Sequence, residues 1–160
     1  MLRSTLASIG FLWVLVTPLV AQNAQPVPYP DGYRSWTHVK SMVLYADHPL
    51  ADPFEGIHHV YANAAALEGL TSGEYENGAI LVFDLLYAPQ SDGTLVEGAR
   101  KRLDIMHRDD SRYESTGGWG YETFVGDSQT ERWVQDVNTA CHACHTAMQG
   151  QSFVFSSLRP

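Results

Sequence analysis

The chain predicts a mainly β fold of the α+β class, an antiparallel sheet with a few short helices. Three observations carry that expectation. Four segments rich in β-branched and aromatic residues have the length of strands, clusters of Gly, Pro, Asp and Ser separate them, and helical periodicity is confined to two short stretches. The four long amphipathic stretches that a helical bundle requires are not among them.

Taken in order, "HVKSMVLY" (38–45) and "IHHVYAN" (57–63) read as short strands. "GAILVFDLLYA" (78–88) is nearly continuous apolar sequence, and "WGYETFV" (119–125) alternates. Between them stand the turn clusters "YADHPLADP", "TSGEYENG", "PQSDGT" and "STGG". "NAAALEGL" (63–70) predicts a helix with Asn63 as N-cap, and "DSQTERWVQDV" (127–137) predicts a second one capped by Asp127 or Ser128.

The N-terminus fits an export signal over residues 1–21. Arg3 precedes a largely apolar run of about 16 residues that contains Pro18, short of the roughly 20 that a membrane-spanning helix needs. Cleavage is expected after Ala21 or Ala24. Residues 22–31, "QNAQPVPYPD", read as a tether, and 32–160 as one domain large enough to bury a core. The formal charge is −8, or −9 once the lone charge of the signal, Arg3, is removed. That balance argues against nucleic acid or an anionic membrane as partner.

Chemistry concentrates near the C-terminus, where Cys141, Cys144 and His145 spell C-x-x-C-H with the only two cysteines of the chain. On a helical turn these residues stand at i, i+3 and i+4 and project from one face. Two thiols so placed suit thioether bonds to the vinyl groups of one porphyrin, with His145 as iron ligand. A C-x-x-C disulfide is the competing reading, but redox motifs of that kind open a βαβ domain, and this one closes the chain. A zinc site is weaker, because two cysteines and two histidines within five residues cannot all face one tetrahedral ion. Met148 lies on the same short segment as His145 and cannot reach the opposite face of a ring. The residue on that face stays open, with Met42, Met106, His38, His48, His58, His59 and His107 as candidates.

Several stretches, "YPDGYRSW", "GIHHVYAN", "LEGLTSGEYENGAILVFDLL", "RDDSRYESTGGWGYETF" and "CHACH" with its tail, together resemble the cytochrome P-460 / cytochrome c′-beta family. The resemblance implies a periplasmic, β-rich, usually homodimeric protein with one covalent haem c per chain, five-coordinate through His145. One family branch oxidises hydroxylamine and joins a lysine covalently to the porphyrin. Phe83 stands at that position here, and the two lysines, Lys40 and Lys101, belong to other segments. In the c′-beta branch the position is phenylalanine and pairs with a second ring, matched by Phe54; the two rings cap the iron. Such a cap implies binding of small neutral gases such as NO or CO.

Asp104 matches a pocket carboxylate that the crosslinked branch uses as proton acceptor, usually a glutamate there, and His58 falls near the same pocket. The resemblance therefore leaves three functions: a gas-binding cytochrome, an oxidoreductase acting on hydroxylamine or NO with Asp104 as base, and an electron carrier docking to a redox partner protein. The run Arg100-Lys101-Arg102 reads as a solvated basic face.

Overall fold

The computed structural model describes residues 26–159. The expected export segment, 1–21, and residues 22–25 of the expected tether lie outside the described residues. The sheet comprises β1 (Thr37–Leu44), β2 (Gly56–Ala62), β3 (Ile80–Leu86), β6 (Arg100–Arg108) and β7 (Trp119–Val125), in the order β1-β2-β3-β6-β7 and antiparallel throughout. A small hairpin, β4 (Gln90–Ser91) with β5 (Thr94–Leu95), occupies the turn between β3 and β6. The helical parts are two 3-10 turns (Tyr33–Ser35 and Glu114–Thr116), a kinked turn, α1 (Ala51–Phe54), a regular helix, α2 (Ala64–Ser72), and a C-terminal run of one π-turn (Asn138–His142), α3 (Ala143–His145) and a 3-10 stretch (Thr146–Gln151).

The apolar run of β3 follows from its place at the centre of the sheet, because both of its faces are covered. On one face Val60, Ala62, Leu81, Met106, Trp119 and Tyr121 form a core with α2 and the C-terminal tail. On the other, Val82, Leu103, Ile105 and Phe124 pack beneath Val27, Tyr33 and Tyr113. Val27 is fully buried, and the Tyr29 ring stands edge-on to Phe124 at 5.2 Å. The packed domain therefore begins near residue 27, five residues inside the segment expected to be a free tether.

Asn63 caps α2 as expected. Its Oδ1 accepts from the N–H of Ala66 at 2.9 Å and from that of Ile80 at 3.0 Å, so one side chain both starts the helix and ties it to β3. The helix expected over 127–137 is not formed. Ser128 Oγ accepts from the N–H groups of Thr130 and Glu131, and the chain then returns along the edge of β7. There the N–H of Val125 donates to Glu131 O at 3.0 Å and that of Trp133 to Thr123 O at 2.9 Å. An open sheet edge offers this segment backbone partners that an isolated short helix does not. β6 was not singled out in the sequence, because three basic residues mask its start.

The one carboxylate inside β3, Asp84, is 1% exposed and points to the N-terminal side. It accepts hydrogen bonds from Tyr33 Oη at 2.5 Å, Arg100 Nε at 2.7 Å and Arg34 Nη2 at 3.3 Å. Removing it leaves the Arg100 guanidinium, whose side chain is only 7% exposed, with the Tyr33 hydroxyl and the exposed Asp127 carboxylate as its remaining partners. Asp84→Ala should cost about 2–3 kcal/mol in urea unfolding, less than the penalty of leaving a buried charge with no counter-ion, because Asp127 still pairs with Arg100.

A second prediction concerns acid. Burial holds His58 and His107 below the ordinary histidine value, with nearby arginines adding to the effect. The unfolded chain therefore binds protons that the native chain refuses. This share of stability is complete above about pH 6.5 and is lost as pH falls through that value. Urea midpoints should decline between pH 7.5 and pH 5, and His107→Gln should flatten the decline.

Candidate haem site

Alternation along four paired strands puts three rows of side chains on the face that also carries the C-terminal tail. Ala62, Leu81, Met106 and Tyr121 form the first row, and Val60, Phe83, Asp104 and Thr123 the second. His58, Leu85, Arg102 and Val125 form the third. A two-residue step along a strand is about 7 Å, so the first and third rows stand roughly 13 Å apart. The middle row, with Phe83 directly opposite Asp104, is the floor between them.

The C-x-x-C-H turn lies over the first row. The His145 ring stands 5.1 Å from that of Tyr121 and 5.0 Å from that of Phe155. Its Nδ1 donates to Phe153 O at 2.7 Å, which fixes the tautomer and leaves Nε2 with a lone pair to offer a metal. Burial, the largest influence on the ring, keeps its pKa below the ordinary value and so favours the neutral, ligating form. Cys141 packs against the same core, whereas Cys144 is exposed, and both thiols are free. Burial, followed by the nearby Asp104 carboxylate, pushes the Cys141 thiol up to about 12. His142 rests beside Tyr121, its Nδ1 3.5 Å from the phenol oxygen.

The carbonyl that orients His145 is placed by a second local device. Ser152 and Phe153 both take left-handed backbone angles, φ 54° and 64°, a conformation that costs non-glycine residues about 1–3 kcal/mol each. The turn is held because the Phe153 ring fills a notch over Gly117, where a Cβ would lie 2.6 Å from the ring. Gly117 is itself left-handed, so two separate demands select glycine there.

At the other end, Phe54 and Phe83 meet edge to face with centroids 6.2 Å apart. His58 brackets both, since its Nε2 donates to the Phe54 carbonyl and its ring stands 4.6 Å from that of Phe83. It is fully buried, and its Nδ1 has no partner. Asp104 reaches Arg102 Nε at 3.1 Å, while its Oδ1 is buried without a hydrogen bond. Burial raises the Asp104 pKa, and Arg102 and Thr123 only partly offset that rise.

The structure thus gathers Cys141, His145, Phe83, Phe54, His58 and Asp104 along one face. Of the other residues named for the far side of the ring, Met42 and Met106 share this face. His38 and His59 lie on the opposite face with Ser41 and Glu97, and His107 lies there against Tyr113. His48 folds back onto the N–H of Leu50 in the loop before α1.

The basic run is not the solvated face that the sequence suggested. The pairing slips between Leu85 and Leu86, so that Lys101 is an extra residue, and Arg100 and Arg102 are sent to opposite faces. Arg100 joins Asp84, and Arg102, 6% exposed, joins Asp104. Arg102, Tyr121 and Trp133 are the members of the site that sequence reasoning missed. Alternation from Asp104 could have placed Arg102, but nothing in the residues announces the bulge.

A flat ring held through one imidazole and two thiols fits this arrangement: a tautomer-fixed His145 at one end, Cys141 and Cys144 beside it, and the Phe54–Phe83 wall at the other end. The family model described as Cytochrome P460 matches residues 30–156. No curated protein matches the chain. The match covers the five-stranded sheet and the C-x-x-C-H turn together, and on that extent the chain belongs to the cytochrome P460 family, with haem as its cofactor.

Proposed function

We propose that the protein is an exported, periplasmic c-type cytochrome that binds NO or a similar small gas. The observation that carries this reading is Phe83. It stands opposite Asp104 in the ladder and against Phe54, so the side chain at the centre of the pocket is a hydrocarbon ring where an amine would be needed for a porphyrin crosslink.

When bound, haem supplies an iron with an open position for a diatomic ligand. The rest is the work of the chain. Cys141 and Cys144 hold one ring per chain through thioether bonds. His145 presents Nε2, oriented through the Phe153 carbonyl. Phe54 and Phe83 exclude water and anions and offer no hydrogen-bond donor to a bound ligand, which favours NO and CO over O₂. The exposed apolar residues Met42, Val43 and Tyr45 along the β1 edge support a homodimer in which a second copy covers them.

Asp104 favours a second reading, oxidation of hydroxylamine or NO. Its carboxyl is half-buried on the pocket face, with Oδ1 enclosed and the pKa raised by burial, as suits a group that exchanges protons with a substrate. An electron carrier docking to a redox partner protein is the third reading and draws no support from the Phe54–Phe83 wall.

Optical spectroscopy separates the three. The ferrous protein should be high-spin and form a stable NO adduct; a low-spin spectrum from a sixth protein ligand, with no adduct, would select the electron carrier. Steady hydroxylamine turnover with an electron acceptor would select the enzyme, and Asp104→Asn should then lower kcat by roughly 10²–10⁴. Replacing both thiols, Cys141→Ser with Cys144→Ser, should leave haem extractable by acidified organic solvent, whereas the parent protein retains it.

A further inference from the structure

Arg102 is a buried cation that the gas-binding reading does not use. Its guanidinium lies between two aromatic rings, with Cζ 4.5 Å from the centroid of Phe54 and 5.7 Å from that of Trp133, and its Nε is 3.1 Å from Asp104. That Nε makes no hydrogen bond. A buried ion pair rarely stabilises a fold more than a well-packed apolar side chain of the same volume. The stability of the sheet does not therefore account for a charge at this place, and its contacts point elsewhere: Phe54 belongs to the ring cap, Asp104 is the pocket carboxylate, and Trp133 backs the guanidinium from outside.

Phe54 is the part of the cap with the least backbone support. It ends α1, a four-residue turn with two non-helical residues inside, whereas Phe83 sits in the central strand. His58 fixes the Phe54 carbonyl but not its ring. On the ring itself, Phe83 stands on one side and Arg102 approaches at cation–π distance, backed by Trp133. Trp133 is anchored in turn by its N–H to Thr123 O on β7.

We propose that Arg102 is a positioning residue for the ring cap: held between Trp133 and Phe54 and tethered to Asp104, its guanidinium keeps the Phe54 ring against Phe83 and so limits how fast a neutral diatomic reaches the pocket. This inference rests on the gas-binding reading above. It assigns to Arg102 a control over ligand entry while leaving the ligand itself to the apolar wall.

The test compares three holoprotein variants by CO association after flash photolysis, by Phe54 ring-flip rates from NMR of the diamagnetic ferrous CO form, and by thermal unfolding. Phe54→Ala defines the open limit. Arg102→Met keeps the length and burial of the side chain without its charge; it should speed association and ring flipping on the order of tenfold, the weight of one desolvated cation–π contact, while the thermal midpoint holds or rises. Should Arg102→Met not fold, Trp133→Leu removes the far wall at an exposed position and should give a smaller increase of the same sign. The inference is overturned if Phe54→Ala speeds CO entry and neither the Arg102 nor the Trp133 variant does, or if Arg102→Met lowers the thermal midpoint with both rates unchanged. If Phe54→Ala itself leaves CO entry unchanged, the cap is not a barrier and the role of Arg102 falls while gas binding stands; a ferrous holoprotein that forms neither a CO nor an NO adduct overturns the gas-binding reading instead.

Discussion

The register of β3 against β6 is the constraint on which the site depends. Phe83 lies opposite Asp104, and an antiparallel ladder allows each side chain only one of two faces. A slip of one residue would turn Phe83 outward and bring Asp84 into the pocket. What opposes the slip lies on the far side of the sheet, where Asp84 is held by Tyr33, Arg34 and Arg100. A buried carboxylate that finds three donors at only one register makes every other register costly. The apolar character of the pocket face is thus secured by a polar lock behind it.

Much of this was legible in the chain. The unbroken apolar run around Phe83 reports a central strand with both faces covered, and "WGYETFV" is legible as a strand although both of its faces are buried too, because Gly120 and Glu122 keep its pattern alternating. Asn63 announces its helix because capping is a local bond between a side chain and the backbone three residues on. The C-x-x-C-H turn is equally local. Residues 127–137 misled because their helical pattern is genuine but weak, and the decisive partners, the free backbone groups of β7, are close in the residue order but form an open edge only once the sheet has assembled. Arg102 misled for a related reason. The extra residue at Lys101 reverses the alternation, and no residue type marks it, so a run of three cations read as one face when it is divided between two.

The two ends of the pocket are built by different means. The aromatic wall and Asp104 are carried on the sheet, where positions are set by long-range pairing and little can move. The His145 end is set by short-range turns, from the π-turn through α3 to the tail. One end is accurate because it is rigid, the other because two unfavourable backbone conformations are pinned by a ring seated over Gly117.

That seat has a consequence for how the chain can vary. The carbonyl received by His145 comes from eight residues downstream, and the spacing is counted by the turn that carries it. Any insertion or deletion between residues 146 and 152 moves the carbonyl away from the imidazole, however hydrophilic or exposed the altered residues are. The last stretch before the terminus, ordinarily the most permissive part of a domain, is here a ruler, and it is length rather than hydrophobicity that the fold requires of it.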